Sequence, residues 1–86
     1  MELVKDMHSL VLVLARESLK RYVNDRVPTG GFLRAVLEHD LFEAVGRADA
    51  NNMKIIPEIV RYIYNELPSV CHGDKYIVNE WLKGGG

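Results

Sequence analysis

One cysteine, Cys71, stands in 86 residues, so no internal disulfide is open to the chain, whereas a secreted domain of this size usually carries several. A cytoplasmic protein is expected. Soft metal ligands are equally scarce: His8, His39, His72 and Cys71 include no pair at the i, i+4 or Cys-x-x-Cys spacing of zinc sites, so neither a metal nor another cofactor is expected. Cys71 and His72 are chain neighbours and rarely face each other as nucleophile and base, and Asp40 is the one carboxylate at the edge of an apolar face, where acid/base chemistry would want two. Nothing here reads as an enzyme. With 11 basic and 12 acidic side chains the net charge is -1, which gives no field to draw in DNA, RNA or an anionic membrane. The apolar run Leu10 to Ala15 is far too short to cross a bilayer, and the N-terminus lacks the basic-then-apolar pattern of a cleaved leader.

What the chain does have is apolar surface, 48% of its residues, which is generous for one small domain and makes homo-oligomerisation the expectation. The domain spans residues 1–83, and Gly84-Gly85-Gly86 reads as a flexible tail outside the fold. The pattern predicts an all-α bundle of about four helices. The first runs from about Met7 to Asn24, with Leu3, Met7, Leu10 and Leu14 on one stripe and Val11, Ala15, Leu19, Tyr22 and Val23 on another; the run Leu10 to Leu14, apolar all round, leaves a buried strand as the rival. The second runs from Gly31 to about Ala48, with Leu33, Leu37, Leu41, Ala44, Val45 and Ala48 on one face and Phe32, Ala35 and Phe42 opposite; Arg47 is the expected partner of Asp40. The third starts among Ala48 to Asn52 and ends at Leu67-Pro68, either kinked at Pro57 or regular only from Ile55. A short fourth, Asp74 to Leu82, turns Ile77, Val78, Trp81 and Leu82 inward. Phe32, Phe42 and Leu12 are the candidate oligomer contacts.

The best functional constellation is the turn into the second helix, Thr29-Gly30-Gly31 with Arg34 one turn on and Arg26 before it. Thr29 is placed to cap, the glycines let a ligand approach the backbone, the helix start supplies amides at its positive end, and the two arginines would contact phosphate. The plainer alternative, a tight helix–helix turn with a threonine cap, weighs somewhat more from residues alone. No Lys-Ser or Lys-Thr pair follows the glycines as a Walker motif needs, and no strand precedes them. Tyr62, Tyr64, Tyr76 and Trp81 offer faces for a base, although such residues more often fill a core or an interface.

The segment Pro28-x-Gly30-x-Phe32-Leu33-x-Ala35-Val36-Leu37-x-x-Asp40-Leu41-x-x-Ala44-Val45-x-x-Ala48-Asp49-x-x-Asn52, followed by Ile59-Val60, Tyr64-Asn65, Pro68, Gly73 and Trp81-Leu82, resembles a family of short phage and prophage proteins, with His39 where asparagine is expected. The family brings no established activity. The resemblance implies a bacterial host cytoplasm and, by outline, a likeness to phage counter-defence proteins, which act by binding. On that footing the expected function is a homo-oligomeric sponge that sequesters a phosphorylated or nucleotide immune-signalling ligand through Thr29, Gly30, Gly31, Arg34 and Arg26. The alternatives are a protein–protein inhibitor or adaptor that binds a host protein, and a small structural assembly component.

Overall fold

A computed structural model describes residues 7–84, with the side chains of Met7 and His8 outside the description. The expectations placed on Leu3, on the side chain of Met7 and on residues 85–86 therefore lie outside the described residues. Five α-helices follow one another, α1 (Met7–Asp25), α2 (Gly31–Leu37), α3 (Leu41–Arg47), α4 (Ala50–Glu66) and α5 (Lys75–Leu82), with a short 3-10 turn at Ser69–Cys71 before the last. No strand occurs among the described residues, so Leu10 to Leu14 is helical. The expected second helix is two helices.

The break between α2 and α3 has a local cause. His39 adopts a left-handed backbone with φ 59°, its N–H donates to the Val36 carbonyl at 3.0 Å, and the Asp40 N–H donates to the Ala35 carbonyl at 2.9 Å. These two bonds close a helix end by satisfying its last carbonyls, a task usually given to glycine and here given to histidine. Asp40 then starts α3, its carboxylate accepting the Glu43 N–H at 3.1 Å. Arg47 is not its partner: the Arg47 guanidinium pairs with Glu43 at 2.8 Å.

Aspartates start the later helices by the same means, Asp49 accepting from the Asn52 N–H and Asp74 from the Ile77 N–H, each at 2.8 Å. Pro57 lies inside α4, which nevertheless begins at Ala50 rather than at Ile55. Helix α1 ends on a second left-handed residue, Arg26 with φ 56°, whose N–H donates to the Tyr22 carbonyl at 3.0 Å.

Helix α1 packs on α4, α2 on α3 and α5 on the 3-10 turn. Of the two stripes on α1, the one carrying Ala15, Leu19 and Tyr22 is buried, and Leu14 on the other is exposed. The centre of the core is Leu19, Tyr22, Leu37, Ile55, Ile59, Cys71 and Val78, all fully enclosed. Each such aliphatic side chain contributes about 1.5–3 kcal/mol by leaving water. Tyr22 ties three elements together: its hydroxyl donates to the Cys71 carbonyl at 2.7 Å, and its own carbonyl accepts the Trp81 indole N–H at 2.9 Å. Burial, reinforced by the neighbouring Cys71 and Glu38 and opposed by Arg34 and Arg26, pushes the Tyr22 phenol up to about 12.

Gly73 joins the α4–α5 connection to the end of α2, donating its N–H to the Leu37 carbonyl at 2.9 Å. Its φ of 145° disfavours any side chain, and a Cβ there would meet Ile77 Cδ1 at 2.8 Å. Gly73→Ala is expected to cost about 1–3 kcal/mol, read as a lower urea midpoint at unchanged slope. A stability within experimental error of wild type would show that this turn carries no strain.

Candidate functional site

The residues expected at the Thr29 turn do not all converge: Gly31 and Arg34 line one cleft, which Thr29 and Arg26 do not line. Gly30, with extended backbone, is the N-cap of α2 and supplies no side-chain cap, while the Thr29 hydroxyl donates to the Gly30 carbonyl at 3.1 Å instead of capping. Arg26 is turned inward: its guanidinium lies 3.7 Å above the Trp81 ring and donates to the Trp81 carbonyl at 2.8 Å. That pairing of cation, aromatic face and carbonyl fastens the end of α1 to α5, and it leaves the charge committed to the fold. Arg34 is engaged as well, by Glu38 at 2.9 Å and by the Asn79 side-chain carbonyl.

Gly31 and Arg34 do share a polar cleft with Arg47 and Lys75, but Glu38, Asp40 and Glu43 line the same cleft, so the cations face nearby carboxylates. Arg47 leans over Gly31, where an added Cβ would stand 2.7 Å from its Nη1. Of the expected oligomer contacts, Phe32 is a core residue of α2, Leu12 is half-buried against the core, and Phe42 alone is on the surface, 89% exposed. Phe32 is enclosed because α2 is buried around most of its circumference, with Leu33, Ala35, Val36 and Leu37 buried beside it.

A different site, not anticipated from the sequence, lies between α3 and α4. Helix α3 buries only Ala44, and an open groove of about 250 Å³ is lined by its residues and those of α4. Buried Val36, Ala44 and Ile63 form its floor; Leu41, 63% exposed, Val60 and Tyr64, 81% exposed, form its rim. The lining includes no lysine or arginine, and Asp40 is its one carboxylate. Phe42 and Val45 extend the exposed apolar surface along α3.

At the edge of the groove two histidines from separate connections meet. His39 Nε2 and His72 Nδ1 are 2.9 Å apart and the ring centroids 5.1 Å apart, one ring in the α2–α3 turn and the other following the 3-10 turn. Burial and the facing His39 hold His72 below the ordinary imidazole value, while a hydrogen bond with the Leu67 backbone pulls the other way. Among the described residues no group of three or more His, Cys, Asp or Glu is arranged to hold a metal ion. The Cys71 thiol is enclosed, and burial raises its pKa, with Arg26 opposing. A raised value keeps it protonated and weakly nucleophilic.

Among the described residues no helix is long and apolar enough to cross a membrane. The chain matches no protein-family model, no curated protein and no solved structure.

Proposed function

We propose that this chain is a non-catalytic binding protein that docks an apolar segment of another protein in the groove between α3 and α4. The observation that carries the reading is the rim: Leu41, Val60 and Tyr64 stand in solvent around a floor of carbon, next to an almost fully exposed Phe42. Leaving such a patch in water is unfavourable, and a charge-poor apolar centre edged by an aromatic is the composition of a protein interface. Set beside the resemblance to phage proteins, the partner is a host protein and the chain acts by occupying it.

A second reading, sequestration of a nucleotide signal, has one feature in its favour: Gly31, Arg34, Arg47 and Lys75 converge on one cleft. A phosphate there would have to draw Arg34 and Arg47 away from Glu38 and Glu43. Capture from host lysate by wild type and by Tyr64→Asp tests the first reading. A stoichiometric host protein held by the wild type and lost from the variant is expected, and capture indifferent to the variant would overturn the groove's role. Calorimetry with cyclic dinucleotides and ADP-ribose derivatives tests the second. Heat abolished in Arg47→Glu would support it, and silence from both ligand classes would remove it.

A further inference from the structure

The exposed position of α3 makes the means of holding it informative. Only Ala44 anchors the helix in the core, and its single strong attachment is to α2 across the turn that contains His39. Gly73 fixes the end of α2 through Leu37, but that bond stops short of α3. Beyond it, the side-chain tie between the α2–α3 turn and the α4–α5 connection is the His39–His72 contact.

We propose that the His39–His72 contact is a pH-sensitive latch on the groove, closed while at least one ring is neutral and open when both carry a proton. A hydrogen bond between two imidazoles needs one donor and one acceptor nitrogen. Neutral rings satisfy this, and so does a neutral ring beside an imidazolium. Two imidazolium rings have only donors and repel across 2.9 Å. The nearby carboxylates already hold other partners, and Asp40, which keeps its negative charge, lines the groove with the two rings. The Asp40 carboxylate is engaged at the Glu43 N–H, Glu38 pairs with Arg34, Asp74 caps Ile77, and from α4 the group lining the same cavity is the phenol Tyr64. The depressed affinity of His72 for protons places the opening step below the ordinary imidazole value of about 6.5. Mild acid then lets α3 swing about the His39 turn and changes access to Leu41 and Ala44, so partner binding through the groove becomes dependent on pH.

This latch rests on the groove as the binding surface, and the test separates the two. Nuclear magnetic resonance of the imidazole nitrogens from pH 8 to 4.5 is paired with amide hydrogen exchange, corrected for intrinsic rates, in wild type and in His39→Asn. The expected result is a coupled titration of the two rings, the lower step falling below 6.5, across which the α3 amides exchange roughly tenfold faster than those of α1 and α4. In His39→Asn the step in α3 exchange is absent. Two rings titrating independently, or α3 exchange unchanged across the titration, would overturn the latch. So would acid opening of the whole domain that His39→Asn leaves in place. If Tyr64→Asp fails to alter partner capture while the coupled titration persists, the groove's role is lost and the latch is not.

Discussion

Replacing Tyr22 with alanine is expected to lower the unfolding free energy by about 3–5 kcal/mol, the cost of emptying a core position built for an aromatic ring. For a domain of this size that is a large part of the whole stability, and chemical denaturation should show it as a midpoint moved strongly toward water. The reason lies in the number of elements Tyr22 joins. Its ring lies in the fully enclosed core 6.5 Å from Trp81, its hydroxyl holds the 3-10 turn through Cys71, and its carbonyl receives the Trp81 indole. Tyr22→Phe separates ring from hydroxyl and is expected to cost about 1–3 kcal/mol, because the Cys71 carbonyl is left enclosed without its donor. The same hydroxyl gives a check with base. In the folded chain it keeps its proton to about 12, while in the unfolded chain it releases it near 10, so between those values the folded state binds more protons and stability falls as pH rises. Tyr22→Phe should flatten that part of the alkaline loss. A Tyr22→Phe variant as stable as wild type, with the same alkaline profile, would mean that the hydroxyl is not holding the turn.

The second large effect is expected at the groove, in binding instead of stability. Leu41→Asp and Tyr64→Asp each place a carboxylate on the rim, where partner contact would strip it of water with no lysine or arginine in the lining to meet it. Loss of the more than 2 kcal/mol that a central interface residue carries is at least about 30-fold in affinity. Both positions are exposed in the free protein, so thermal stability should stay within about 0.5 kcal/mol of wild type. Binding lost without stability lost is the pattern that marks a surface used for recognition. If either variant destabilised the fold by several kcal/mol, the groove would be a gap in the core and not a docking surface.

Much of the architecture is legible in the residues. Asp49 and Asp74 carry the short polar side chain that a helix start needs, and Leu67-Pro68 stops α4 where the following proline forbids its continuation. The buried stripe of α1 is readable from the spacing of Ala15, Leu19 and Tyr22, although nothing in that spacing says which of two stripes wins. The break at His39 is hidden because the apolar series from Leu33 through Ala48 runs across it without interruption, and the left-handed residue is not glycine. The available cue is Asp40 three residues before Glu43, a capping pattern in the midst of an apparently continuous helix.

The site is less legible than the fold, for a reason of distance along the chain. The pairing of Arg34 with Glu38 is visible as an i, i+4 spacing, but the further hold by Asn79 and the capture of Arg26 by Trp81 join residues far apart in sequence, and both withdraw cations that the residues alone leave available. Likewise His39 and His72 look unrelated until the turns that carry them are brought together. The groove is lined from α3, which starts only after the break, and from α4, so a continuous second helix read from the sequence conceals it.

The most direct measurement is a backbone and methyl resonance map of the protein mixed with the proposed partner, the protein that the capture experiment identifies. Perturbation and slowed exchange centred on Leu41, Ala44, Val60 and Tyr64 are expected, fading toward the far face of α1. Changes confined to Gly31, Arg34, Arg47 and Lys75 would contradict the groove and return the function to the polar cleft.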